Sequence, residues 1–391
     1  MQQETYALPQ GLTFSDIARP ESIQEIADIL RMAGERNVPV VPIGGGTALS
    51  VGNPVSGEFL GIDLRNISGV RSYEPADLTA SFHAGTTLAD VHAVLAEQGQ
   101  ELPLDMPRME QATIGGLVAT GFSGPRRLGS GTLKDLLIGC AYVRGDGLVA
   151  KAGGMLVKNV SGFEIPRLLH GSWGSLAVLT SVNLKIVPKP KADFTFSRTY
   201  DSLADALAGQ KILLERHPLI HASVIEWLDD AWTLHARLLG REVALRAQVA
   251  SIEDDLGSGT ALIEDDRFWR AYNERWSPAD DGVRVVIGAR PHRVPDIAVD
   301  IASWPGVTSM AASAPTGGIR FVLNPDLIPA SELSNRLDAL DGATWVLESA
   351  PASWRGGLPA WSDPGASISI MQSIKKQFDP AGILNRGRLV I

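Results

Sequence analysis

The residues that could do chemistry begin with Gly44-Gly45-Gly46-Thr47, which follow the apolar, β-branched run from Val38 to Ile43 and lead into Ala48. A glycine run after a strand removes side chains where several backbone N–H groups can converge, which is what a pyrophosphate requires. The plainer alternative is a turn that only reverses the chain. A second stretch shifts the balance: Pro107, then Ala112-Thr113-Ile114-Gly115-Gly116-Leu117-Val118-Ala119-Thr120-Gly121-Phe122-Ser123-Gly124. Two such loops can clasp one extended ligand. Lys158-Asn159-Val160-Ser161-Gly162 and the small residues Gly171, Ser172, Gly174 and Ser175 come next. Gly115 and Gly116 lie in a short helix-like run, where glycine gives up stability unless something approaches the backbone closely. A bulky side chain at Gly115 is therefore expected to fill space that a ligand needs.

The titratable residues narrow the chemistry. Cys140 is the single cysteine, so an internal disulfide and an all-cysteine metal or iron-sulfur site are both excluded. His217 and His221 are the one close histidine pair, but Pro218 lies between them and no acidic residue follows until Glu226. They read as exposed imidazoles on a loop leading into a strand, and no metal site is assigned. His83 on a strand and His92 on a capped helix read as structural. Arg290, His292, Arg293 and Arg320 are the candidates to hold a substrate carboxylate, and no catalytic residue is assigned.

Elements able to position these groups are legible. Ser22 with Glu25 has capping-box spacing, and Ile23, Ile26, Ile29, Leu30 and Ala33 recur at helical intervals. Leu60 to Leu64 and Leu78 to His83 read as strands, and Thr87 with Asp90 caps another helix. Strand-like runs flank Gly145-Asp146-Gly147, a hairpin signal. A strand from Leu176 to Val187 ends at Pro188-Lys189-Pro190, a natural domain boundary. Beyond it, Ser202 to Glu215, Arg241 to Asp255 and Ile368 to Phe378 look helical, while Val283 to Gly288, Thr308 to Ala312 and Gly318 to Leu323 look like strands. The fold class is α+β, with residues 1–190, 191–365 and 366–391 as its three parts.

A chain of 391 residues exceeds what one core usually supports. Its formal charge of -9 argues against nucleic acid and anionic membrane surfaces as partners. Met1 to Gly11 lacks the charged-then-apolar order of a secretory signal, and no apolar run is long enough to span a bilayer. A cytoplasmic protein is expected, with any membrane attachment made through a partner. A nicotinamide-binding reading fails because no G-x-G-x-x-G follows a strand with an acidic residue at the proper distance.

Residues 19–188 resemble the FAD-binding domain shared by vanillyl-alcohol oxidase and p-cresol methylhydroxylase (PCMH) relatives. Arg19-Pro20-Glu21-Ser22, the two glycine loops, the Lys158-Asn159 turn and Gly171-Ser172-Trp173-Gly174-Ser175-Leu176 fall in family order. Phe378-Asp379-Pro380-Ala381-Gly382-Ile383-Leu384-Asn385 is similar to the carboxy-terminal signature of the lactate and glycolate branch. The resemblance implies a two-subdomain PCMH-type FAD-binding domain, a smaller α+β cap, and a tail returning to the first domain. It implies non-covalent FAD, because Gly or Thr stands where flavinylated relatives carry His, Cys or Tyr. It also implies FAD contacts at Ile43, Gly44, Gly45, Gly46, Thr47, Ala48, Pro107, Ala112, Thr113, Gly115, Gly116, Ala119, Gly121, Ser123, Gly124, Lys158, Gly162 and Ser175. Val178 and its neighbours are placed towards the adenine, and Asn385 near the isoalloxazine edge or pyrophosphate, unless Asn385 merely ends a turn.

Within that family the chain is most similar to FAD-binding subunits of bacterial glycolate oxidase, through Ser223-Val224-Ile225-Glu226-Trp227 and Leu234 to Gly240. The implied partners are a catalytic FAD subunit and an iron-sulfur subunit, with a small 2-hydroxy acid as substrate of the complex. Two alternatives stay open: a self-sufficient FAD dehydrogenase of a small hydroxy acid or alcohol, and a scaffold subunit without catalysis.

Overall fold

In the computed structural model, residues 11–155, 163–257, 261–277 and 282–391 are described. The Lys158-Asn159 turn, with Lys158 and Gly162, lies outside them, as do the first ten residues. Ser22 adopts an extended backbone and its hydroxyl accepts the Glu25 amide at 3.2 Å, which starts the helix Ile23–Glu35. The Glu25 carboxylate reaches back to the Glu21 amide at 2.9 Å, one residue short of a reciprocal capping box. At the other end, Val38 donates its amide to Ala33 at 2.8 Å, still closing the helix. The strand therefore begins at Val40, two residues later than expected, and runs Val40–Ile43.

That strand is one edge of a three-stranded parallel sheet, with Glu58–Asp63 at its centre and Thr13–Ala18 beyond. A five-stranded antiparallel sheet follows, in the order Val70–Glu74, Thr79–His83, Ala177–Lys185, Leu137–Arg144 and Val149–Gly153. The expected hairpin joins its last two strands, with Gly147 at φ 80 in the turn, where a side chain would be strained. Ile26, Ala27, Leu30 and Ala33 of the first helix pack against Val143 and Val178 of this sheet and Ile62 of the parallel one. One helix thus welds the two sheets together.

The second half is an eight-stranded antiparallel sheet, ordered Ala261–Ile263, Ala192–Tyr200, Ala231–Gly240, Ile220–Leu228, Val307–Ser313, Gly318–Leu323, Val283–Gly288 and Thr344–Ser349. Its side chains alternate in the way strands require. Ile225 and Ala312 join the core beneath the helices Leu203–Arg216, Glu242–Leu256, Val294–Ala302 and Ala330–Asp338, whereas Val224 and Ala311 pack with Trp269, Tyr272 and Trp276 on the other face. Four helices on one face and the helix Arg267–Arg275 on the other, packed on an antiparallel sheet, make an α+β architecture. The strand expected after the His217–His221 loop is Ile220–Leu228, whereas Ala192–Tyr200, Ala231–Gly240 and Thr344–Ser349 were not anticipated as strands. The hairpin between two of them turns on Asp229 and Asp230 with φ 50 and 61, without the Asn-Gly or Asp-Gly pair that advertises such a turn.

The two halves meet at a buried seam, where the Arg237 guanidinium bridges Asp105 of the first and Asp193 of the second. The tail crosses back over the parallel sheet. After the helix Ile368–Phe378, the amide of Val40 donates to Ile383 and that of Asn385 to Val40, each at 2.8 Å, which adds a backbone ladder beside Val40–Ile43. Buried Asp379 holds the turn by accepting the Ile383 and Leu384 amides at 3.1 and 2.8 Å. Lys375 neutralises that carboxylate at 2.7 Å.

Candidate functional site

A cavity of about 360 Å³ lies where these parts converge, within the range of small-molecule sites. Gly44, Gly45, Gly46, Thr47 and Ala48 line one wall; Pro107, Ala112, Thr113, Gly115, Gly116, Ala119, Gly121 and Ser123 line another; Asn385 closes it from the tail. Glycine loops more than sixty residues apart therefore face one space.

The glycines act first on each other. A Cβ on Gly45 would sit 1.7 Å from the Gln111 carbonyl oxygen, and one on Gly44 2.3 Å from the Thr113 hydroxyl. Gly115 packs against the neighbouring strand: its Cβ would lie 2.6 Å from that of Ala84, and its amide donates to the Ala84 carbonyl at 2.8 Å. A bulky residue there would collide with Ala84, so the expectation that it would occupy ligand space is corrected. The first-turn amides of the helix Ile114–Thr120 are spent within the protein, Ile114 on Thr86, Gly115 on Ala84 and Gly116 on the Thr113 hydroxyl. By contrast, the amides of Gly45, Gly46 and Thr47 donate to nothing among the described residues. Successive unpaired N–H groups on a cavity wall make an anion cradle.

A buried cation stands behind that cradle. Arg388 is only 6% exposed, donates to the carbonyls of Leu49 and Val51 at 2.6 and 2.8 Å and to Asn385 Oδ1 at 2.9 Å, and has no carboxylate partner among the described residues. Burial pushes its pKa down to about 10, which leaves it charged at neutral pH. Asn385, at φ 47, also donates Nδ2 to the carbonyl of Trp173 at 2.7 Å and so holds that residue at φ 53, a conformation costly for a tryptophan. Asn385 both ends a turn and faces the cavity. Arg388 is invisible in the sequence except as the arginine three residues past it.

Four expected contacts fall elsewhere. Ile43 is fully buried beneath the loop with Leu12, Val41 and Phe59. The Ser175 hydroxyl is spent on the Ser172 carbonyl at 2.7 Å. Gly124 borders an adjoining pocket, where its Cβ would meet Asp105. Val178, 1% exposed, points into the core between the sheets, while its neighbours Ala177 and Leu179, placed with it, do line the cavity.

Of the arginine candidates, only Arg320 reaches the cavity; Arg290 and His292 are exposed, and Arg293 lies 3.6 Å from Asp341. Arg127, which was not singled out, lies beside Arg320. His217 is not exposed as expected. At 4% exposure it sits 3.0 Å from Asp255, an acid thirty-eight residues away in sequence, while His221 bonds the Leu219 carbonyl at 2.9 Å. Among the described residues no group of three His, Cys, Asp or Glu side chains could hold a metal. The described walls of the larger cavity present no imidazole, thiol or phenol for covalent attachment of a cofactor.

A bare amide cradle with a buried cation behind it suits a dinucleotide pyrophosphate. Comparison with known proteins agrees. The family model described as FAD binding domain matches residues 15–153. The chain is 29% identical to glycolate oxidase subunit GlcE of Escherichia coli, over 94% of this chain and 97% of that one. It is 32% identical to glycolate oxidase subunit GlcD of Bacillus subtilis over 57% of this chain and 47% of the relative, so that match spans about half of the GlcD chain. It is 26% identical to a D-2-hydroxyglutarate dehydrogenase of Xanthomonas citri pv. viticola, over 95% and 88% of the two chains. In fold it is similar to a solved alkyldihydroxyacetonephosphate synthase, at TM-score 0.66 and 16% identity, over 94% of this chain and 75% of that one. Residues 15–153 thus match an FAD binding domain, and over nearly its whole length the chain is similar to a glycolate oxidase subunit.

Proposed function

We propose that this chain is the FAD-binding subunit of a glycolate-oxidase-like 2-hydroxy-acid dehydrogenase, holding FAD non-covalently beside a catalytic flavoprotein subunit and an iron-sulfur protein. One observation carries the reading: the glycine loops enclose a cavity that carries the successive unspent amides of Gly45, Gly46 and Thr47 and the buried guanidinium of Arg388, which has no carboxylate partner among the described residues. Similarity to glycolate oxidase subunits supports the assignment to a complex. In this reading those amides and Arg388 hold the pyrophosphate. The remaining lining positions from Gly44 to Ala48, Pro107 to Ser123 and Asn385 shape the channel for the rest of the cofactor. Bound flavin supplies a two-electron acceptor. Residues 1–190 form the cofactor domain, 191–365 a cap that meets substrate or partner, and 366–391 a strap across the first. No described helix is long and apolar enough to cross a membrane; the proposed location is cytoplasmic, with any membrane association through partners.

The test is expression alone and together with candidate partner subunits. The chain alone is expected to be yellow and to release FAD in acid, and its flavin to be reduced anaerobically by a 2-hydroxy acid once partners are present. A folded, colourless chain that takes up no FAD overturns the proposal. A second reading, a stand-alone dehydrogenase of a small 2-hydroxy acid, is favoured by the paired arginines at the inner end of the cavity. Reduction of the flavin by substrate without partners would select it.

A further inference from the structure

Past Phe122 and Ser123 the cavity opens into a second one of about 280 Å³, and the residues common to both include two arginines from different halves of the chain. Arg127 heads the short helix Arg127–Ser130 just after the second glycine loop, and its Nη2 crosses the seam to donate to the Thr316 carbonyl at 2.6 Å. That approach depends on Gly318, where a Cβ would lie 2.9 Å from the same nitrogen. No other acceptor takes a hydrogen bond from this guanidinium among the described residues, and no carboxylate pairs with it. Arg320, on the strand Gly318–Leu323, lies over the Phe122 ring at 5.0 Å and donates Nη1 to Glu348 at 3.1 Å and to the Trp276 carbonyl at 3.1 Å.

Charge decides what belongs between them. Glu348 is the sole carboxylate among the described residues of either lining, so the junction carries two guanidiniums against one acid. Burial and the neighbouring Arg320 both push the Arg127 pKa below its ordinary value, so the charged pair costs energy when nothing lies between. An anion removes that cost. Guanidinium forks suit the two oxygens of a carboxylate, and the smaller cavity beyond adds the hydroxyl-bearing residues Ser313, Thr316 and Thr344.

We infer that Arg127 and Arg320 form a carboxylate clamp at the inner end of the flavin cavity, holding a small 2-hydroxy acid across the seam between the two halves. The clamp rests on the flavoprotein reading for its substrate, but not for its anion binding, and the test separates the two. The full chain is loaded with FAD, its flavin content measured, and oxalate titrated in as an unreactive carboxylate probe, by calorimetry and by the shift of the flavin absorbance band. Wild type is expected to bind oxalate, and Arg127→Met to weaken it by roughly tenfold or more, the value of a lost charge-assisted pair, with flavin content unchanged. Arg127→Lys keeps the charge without the fork and should fall between them. Removing Arg127 strands no buried acid, and if the Met variant does not fold, Arg127→Gln replaces it. Wild type that binds no oxalate, or Arg127→Met that binds it with wild-type affinity, overturns the clamp. A chain that never takes FAD sinks the functional proposal instead, while calorimetry on it still reports whether oxalate binds.

Discussion

At Gly45 an added methyl would lie 1.7 Å from a backbone oxygen, and at Gly115 2.6 Å from the Ala84 side chain. In the second half, Gly356 and Gly357 have nothing within 4 Å of the same added atom. Both pairs are glycines on loops or helix starts and look alike in sequence. The first belongs to a place where two chain segments must touch so that their amides can face a shared space; the second joins elements whose core is complete without it. At the cavity, glycine is required because another segment leans on it.

Changing both sites breaks this comparison most sharply. Gly45→Ala forces backbone against backbone, and overpacking of that kind costs about 1–3 kcal/mol or more. Because the displaced loop carries the free amides, bound FAD per chain is expected to fall at least about tenfold. Gly357→Ala should stay within about 0.5 kcal/mol of wild type with full flavin content. Absorbance at the flavin band and a denaturant midpoint read both variants, and full flavin content in Gly45→Ala would show that the close approach is dispensable.

The same contrast explains what could be read in advance. The helix Ile23–Glu35 was legible because Ser22 caps it and apolar residues recur on one face, and the Gly145-Asp146-Gly147 hairpin because its turn chemistry is local. The cavity side of Ala177–Lys185 was not, since both faces of that strand are buried and an unbroken apolar run has no phase to read. Arg127 and Arg388 look like surface residues until folding places one at the seam and the other under the loop. His217 needed Asp255, and no spacing rule joins residues that far apart. In the second half the strand order crosses the sequence repeatedly, so helix and strand content were partly legible but pairing was not.

Acid should separate the halves by a smaller margin. Burial lowers the pKa of His83, His92 and His170 below the ordinary 6.5, all three in the first half, and the buried ring nitrogens His83 Nδ1 and His170 Nε2 have no hydrogen-bond partner among the described residues. Their folded pKa lies under the unfolded one, so the unfolded chain takes up protons first. Stability from these groups is complete above about pH 6.5 and declines as pH falls through that value towards the folded pKa. Around His92 the opposing charges are Glu101, which favours protonation, and Arg126 and Lys189, which oppose it. Release of flavin fluorescence on lowering the pH from 7.5 to 5.5 should begin before the tryptophan signal changes, since most tryptophans, including Trp269, Trp276, Trp304 and Trp345, lie in the second half. His92→Gln should flatten the flavin curve; an unaltered curve would assign the acid sensitivity to other groups.

Cys140 supplies the finest probe of the comparison. Its thiol is 2% exposed in the strand Leu137–Arg144, and burial pushes its pKa up to about 12, so thiolate is scarce and reagent cannot reach it in the folded chain. Iodoacetamide should label it only through opening of the first half. Saturating FAD binds the closed form, so it should slow labelling by the factor by which ligand exceeds its dissociation constant, about a hundredfold at a hundredfold excess. Oxalate alone should slow it less, because its clamp only bridges the seam. Cys140→Ala serves as the unlabelled control and should cost about 1 kcal/mol for the small cavity it leaves. Labelling at the rate of a free thiol, indifferent to FAD, would mean that the sheet carrying Cys140 opens independently of the cofactor site.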